Sequence, residues 1–171
     1  IASCLVGSEM CIRDSGYAYR QNEAYSDAEN AFKKYIELIP NDPNPYDSYA
    51  ELLLKMGRFD EAITQYNKAL AIEPNFINSH FGIAAALTYK GDAGEAIAEL
   101  QKMTQKARTD GERRTELFGQ TVVALDSGKL DQALAETAKQ YAIAEKNNDP
   151  AAMTGDLQLK GNILLEMGKA D

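Results

Sequence analysis

Between Tyr46 and Pro74 the apolar positions keep two helical rhythms in succession. In YDSYAELLLKMG, Tyr46, Tyr49, Ala50 and Leu53 recur at i, i+3, i+4 and i+7, one face of an amphipathic helix. Gly57 ends that helix, because glycine takes the left-handed backbone of a helix C-terminus cheaply. FDEAITQYNKALAI predicts a second helix with Phe59, Ala62, Ile63, Tyr66, Ala69 and Leu70 on its inner side. Asp60 and Glu61 suit its N-terminus, where the helix dipole favours negative charge. Pro74 closes the unit, since proline cannot continue a helix interior.

The same pattern recurs at a step of 34 residues. Ala28, Ala62 and Ala96 fall in step, as do Phe32, Tyr66 and Leu100, and Tyr19, Leu53 and Leu87. Gly57 pairs with Gly91 and Pro40 with Pro74. VVALDSGKLDQALAET continues the series with Gly128 and Ala133, three residues late, and LKGNILLEMGKAD adds Gly161 and Gly168. Two short antiparallel helices cannot bury both their apolar faces alone, so consecutive units must stack. The small Ala50, Ala62 and Ala69 sit where helices must approach closely.

These spacings resemble the tetratricopeptide repeat, whose pattern is W-x2-L-G-x2-Y, then A-x3-F, an Ala and a closing Pro. The matching residues run from Tyr46 to Pro74, and again from His80 to Leu100. The resemblance implies an all-α fold, a right-handed α-solenoid of stacked antiparallel helix pairs. Its units are residues 16–42 (partial), 43–76, 77–110, 114–153 and 154–171 (partial). Two departures predict local irregularity: KARTDGERR stands where the third unit should close with Pro, and Thr137 stands where an aromatic is usual. The fourth unit's second helix reads as long, through AKQYAIAEKNND.

The family also implies a concave groove lined by the first helices, which holds an extended peptide or a helix. The groove positions here are Asp47, Glu51 and Lys55, then Phe81, Ala85, Thr88 and Tyr89, then Phe118, Val122 and Leu125. The family's clamp of Lys, Arg and Asn around a terminal carboxylate is not reproduced. The expected partner is a protein or peptide segment with apolar side chains and a basic residue near Asp47 and Glu51. The other reading open at this point has Phe81 and Phe118 packed between neighbouring helices.

Upstream of Gly16 the pattern lapses: Ile12 suits it, but Ser15 stands where Leu is expected. LVGSEMCIRDS, Leu5 to Ser15, also resembles an in-frame translation of a transposase adapter used in sequencing libraries. Residues 1–15 are therefore expected to be a non-native segment, and 16–171 a single repeat domain. The rival reading takes IASC as a lipoprotein box with Cys4 as a lipid anchor. At the other end LLEMGKAD stops where a further second helix would open. The chain thus reads as a fragment of a longer array, of bacterial type, whose uncapped ends can self-associate.

Composition narrows the function. A net charge of −8 argues against nucleic-acid binding, which needs a concentrated Lys/Arg surface. The longest apolar run, FGIAAALTY, has roughly half the ~20 residues needed to span a bilayer. Cys4 and Cys11 have neither CxxC nor His/Cys spacing, so no metal or cofactor is expected. The single histidine, His80, has no triad partners and reads as a packed structural residue. GDAGE and GKAD lack the phosphate-cradling glycine pattern. The basic run Lys102, Lys106, Arg108, Arg113 and Arg114 reads as a solvated loop, with a docking patch for an acidic partner as the alternative. The expectation is a non-enzymatic protein-interaction scaffold or adaptor; the alternative is a regulatory or sensory segment of a larger enzyme or transcription regulator. A cytoplasmic location is favoured over a periplasmic or lipid-anchored one.

Overall fold

The structure, a computed structural model, describes residues 8–104 and 109–169. Among them are nine helices and no strand: α1 (Glu9–Gln21), α2 (Tyr25–Leu38), α3 (Pro43–Lys55), α4 (Phe59–Ile72), α5 (Ile77–Tyr89), α6 (Ala93–Thr104), α7 (Asp110–Asp126), α8 (Leu130–Lys146) and α9 (Pro150–Glu166). The fold is an all-α helical repeat. Two compact units divide the chain, Ile1–Ala86 and Leu87–Asp171, and α5 runs across their boundary.

Odd- and even-numbered helices begin differently, for a local reason. Ser8, Asp42, Thr109 and Asp149 cap α1, α3, α7 and α9, each side-chain oxygen accepting a backbone N–H of the first turn. Pro43 and Pro150 sit just inside two of these starts, where a missing N–H costs nothing. Helices α2, α4 and α8 have no side-chain cap. Each is entered from a tight turn that closes the preceding helix.

That turn is the same throughout. Arg58 N–H donates to Leu53 O at 2.9 Å and Gly57 N–H to Leu54 O at 3.0 Å, with Gly57 at φ +75°. This is a Schellman closure, which satisfies two otherwise orphaned carbonyls and needs a left-handed residue. It recurs around Glu23, Gly128 and Gly168, and Gly91 shares the left-handed backbone. The receiving carbonyls are those of Tyr19, Leu53, Leu87, Ala124 and Leu164. The first three are the residues that fall in step in the sequence.

In the first unit α1 packs on α2 and α3 on α4, with α2 against α3. Phe32, Tyr66, Leu52 and Leu53 are fully buried among Ala28, Ala50, Ala62 and Ala69. Burying side chains of this size stabilises by roughly 1.5–3 kcal/mol each before entropy is counted. His80 is buried, its ring Nε2 3.2 Å from the Pro74 carbonyl oxygen.

The second unit is built differently. In it an apolar cluster joins Ala124, Ala133 and Ile163, with Leu125, Leu130, Leu134, Leu159 and Met167 around them. Beside it lies a buried polar seam of α7, α8 and α9. Gln140 Nε2 donates to Thr121 Oγ1 at 2.9 Å, and Thr121 donates to the Leu117 carbonyl at 2.9 Å. Thr137, at the aromatic position of the repeat, donates to the Ala133 carbonyl of its own helix. A hydroxyl satisfied that way is buried at little cost. Helix α8 has 17 residues against 14 in α4, as its sequence indicates.

Candidate functional site

In the first unit the odd-numbered helices carry a polar network on the face predicted to be a groove. The Tyr17 hydroxyl lies 2.9 Å from Ser48 Oγ and 3.1 Å from Glu51 Oε2. Arg20 Nη1 donates to the same Glu51 oxygen at 3.0 Å, and its guanidinium stands 4.8 Å from the Tyr17 ring centroid. Ser79 Oγ donates to Asp47 Oδ1 at 2.7 Å, tying α5 to α3. Asp47 is buried; burial, with the Glu51 charge adding to it, raises its carboxyl to about 6 against the opposing pull of the Ser79 hydroxyl.

The two acids expected to meet a basic partner residue therefore already have partners within the chain. Lys55 is exposed, while Phe81 and Ala85 are half-buried. Sequence reasoning missed Tyr17, Arg20, Ser48 and Ser79. A signal existed: Tyr17 stands 34 residues before Glu51, at the same repeat position.

In the second unit an open cavity of about 570 Å³ lies between α7 and α9, with α8 at its floor. Phe118 forms one wall and is 52 % exposed. Thr115 stands beside it, and Gln158, Leu159 and Asn162 face them from α9. The charges that line this cavity cancel: Arg114 donates to both Asp156 oxygens, at 2.7 and 3.0 Å, and also to the Gln140 carbonyl. A paired guanidinium and carboxylate leave a neutral surface of amides, a hydroxyl and an aromatic ring. Such a surface can pair with peptide groups and cover an apolar side chain; it holds no nucleophile–base pair.

Gln158 and Asn162 were not foreseen, yet they precede Gly168 by the intervals that separate Phe118 and Val122 from Gly128. Val122 is exposed, and so is Tyr89. Leu125 is half-buried against the apolar cluster rather than in the cavity. Of the basic run, Lys102 pairs with Glu99, Arg113 with Asp110 at 3.5 Å, and Arg114 with Asp156. Lys106 and Arg108 lie outside the described residues, as does Cys4. Residues 9–15, expected to be foreign to the repeat, form the first two turns of α1, with Cys11 buried.

Comparison with known proteins bears on what this surface belongs to. Models described as tetratricopeptide repeat match residues 14–42 and 31–64, and one described as TPR repeat matches residues 50–91. The chain is 34% identical over 89 residues to the tetratricopeptide repeat and J domain-containing co-chaperone DNJ1 of Cryptococcus neoformans, covering 52% of this chain and 17% of that protein. It spans less than a fifth of the length of the first curated relatives it matches. A solved tetratricopeptide repeat protein from Parabacteroides merdae superposes with a TM-score of 0.68 at 11% identity, covering 98% of this chain and 62% of that one. The TPR2B-domain:pHsp70-complex of yeast Sti1 gives 0.50 at 22% identity, covering 92% and 97%. Residues 14–91 thus carry tetratricopeptide repeats, and the helical-repeat fold extends along nearly the whole length of the chain.

Proposed function

We infer that this chain is a non-catalytic interaction scaffold, and that the cavity between α7 and α9 receives a segment of a partner protein. The segment is uncharged where it enters and carries an apolar side chain that lies on Phe118. What carries the reading is the pairing of a half-exposed aromatic wall with a lining in which, among the described residues, the one guanidinium and the one carboxylate neutralise each other. Among the described lining residues a terminal carboxylate or an acidic motif finds no uncompensated cation, and the net charge of −8 opposes acidic partners at longer range. Side-chain amides on α9 and the Thr115 hydroxyl offer the hydrogen bonds that an extended backbone requires. The co-chaperone among the relatives and the Hsp70 complex of the Sti1 domain are consistent with a protein ligand.

A library of displayed linear peptides, selected on the purified chain, tests this. Enriched sequences should be neutral, with one conserved large apolar residue, and should lose binding to Phe118→Ser while circular dichroism of that variant is unchanged. Enrichment of acidic or C-terminal motifs, or equal capture by Phe118→Ser, would defeat the reading.

A further inference from the structure

In the repeat register Gln140 of α8 stands where the first unit has Ala69, an inner-face position that is 0% exposed. Gln140 is itself only 2% exposed. Its amide nitrogen donates to Thr121 Oγ1 at 2.9 Å. Thr121 gives its own hydrogen to the Leu117 carbonyl, so it can only accept from the amide. That fixes the nitrogen on the Thr121 side and turns the amide oxygen away from it.

Oε1 of Gln140 accepts no hydrogen bond among the described residues. It is not sealed from solvent either, and the open space that Gln140 borders is the cavity between α7 and α9. The polar groups around it are otherwise engaged. Arg114 is directed to Asp156 and to the backbone oxygen of Gln140, and the Thr115 hydroxyl donates to the Gly111 carbonyl. The floor of the cavity thus presents an acceptor in want of a donor, in the same space as the half-exposed ring of Phe118. A buried amide oxygen left so costs stability until something donates to it.

We propose, on the reading that this cavity seats a partner segment, that the segment's apolar residue is a tryptophan whose indole N–H donates to Gln140 Oε1 while its ring lies on Phe118. Tryptophan alone joins a large apolar ring to a polar atom that donates and does not accept. A tyrosine hydroxyl can reach the same oxygen, but its lone pairs would then face a floor whose Arg114 donors are already engaged. Lysine and arginine bring a charge that this neutral lining does not compensate. Asparagine and glutamine lack a ring to lie on Phe118. None of the 171 residues is a tryptophan, so the ring comes from outside them.

The probe is the blocked peptide acetyl-Gly-Ser-Trp-Ser-Gly-amide, titrated with the whole chain. Because the chain has no tryptophan, the indole emission of the peptide reports binding directly. Saturable binding with blue-shifted emission is expected. The same peptide methylated at the indole nitrogen should bind roughly tenfold more weakly, the worth of one hydrogen bond to a buried acceptor. Gln140→Met, which keeps the length of the side chain and removes the amide, should weaken the parent peptide to that level and leave the methylated one unchanged. The methylated peptide needs no change in the protein, so it keeps the test decisive should Gln140→Met fail to fold. Equal binding of the two peptides overturns the proposal; if Phe118→Ser then weakens both, the cavity still seats an apolar side chain and only the tryptophan assignment falls. No saturable binding at millimolar peptide also overturns it, and a neutral peptide without tryptophan that binds through Phe118 would show that the reading of the cavity survives.

Discussion

Gly82 on α5 lies against the ring of Tyr66 on α4: a Cβ at Gly82 would stand 2.1 Å from Tyr66 Cζ. Real Cβ contacts essentially never come so near, and the ring, 1% exposed, has no free space to retreat into. Gly82→Ala should therefore destabilise the first unit by about 1–3 kcal/mol, the usual cost of overpacking, although alanine is the better helix former. Urea denaturation measures it. Adding Tyr66→Leu removes the ring atoms concerned, so the two changes should be less than additive. Full additivity would mean that the close approach is not the cause.

Gly16 and Gly161 hold the same place in their helices and should answer the same substitution with opposite signs. At Gly16 the new methyl meets the Phe32 ring at 2.7 Å, so Gly16→Ala should lower stability by about 1 kcal/mol or more. At Gly161 it meets nothing, and Gly161→Ala should raise stability by roughly 0.5–1 kcal/mol through helix propensity alone. Thermal melts of the two variants beside the parent decide it; equal signs would show that repeat register does not govern these sites.

Asp47 makes the first unit sensitive to mild acid in an unusual direction. Burial is the largest cause of its rise from 3.8 to about 6, so the folded chain holds this proton more tightly than the unfolded one. Its contribution is then most favourable below pH ~4 and is lost as pH rises through about 6. Asp47→Asn keeps an oxygen to accept from Ser79 and removes the charge. It should stabilise at pH 7.5 by on the order of 2–3 kcal/mol and have little effect at pH 4. Denaturation midpoints of both proteins across that range would expose the trend; a pH-independent difference would count against a buried carboxylate as its source.

Much of the architecture was legible because it is local. The run from Phe59 to Ile72 reads as a helix and forms α4 with those bounds. The turn at Gly57 follows from one residue's backbone freedom. What could not be read from periodicity is where polar side chains find partners. Asp47 sits at a groove position by register, yet a serine 32 residues away draws it into the interior. Thr121 and Gln140 hold the register of the inner-face Ala50 and Ala69, but the buried hydrogen bond that lets polar side chains stand there spans 19 positions. Thr137 looked like a defect and is satisfied within its own turn. Hydrophobic pattern fixes which helices pair; polar satisfaction depends on atoms that only the fold brings together.

The Arg114–Asp156 pair shows how such a distant contact can set specificity as well as stability. It joins α7 to α9 across 42 positions, with Asp156 almost wholly buried and Arg114 about one-fifth exposed. Removing one partner strands the other in a poorly hydrated place, which costs about 3–5 kcal/mol in buried pairs and somewhat less where one side reaches solvent. Asp156→Asn should thus destabilise the second unit and also leave an uncompensated guanidinium in the cavity wall. Replacing both, Arg114→Met with Asp156→Leu, removes the charges together and should recover most of the stability. Binding should then separate the two effects. Asp156→Asn should bind acidic peptides that the parent refuses, with a salt dependence the parent lacks, whereas the double variant should again prefer neutral ones. If Asp156→Asn bound acidic and neutral peptides as the parent does, the pair would serve stability alone.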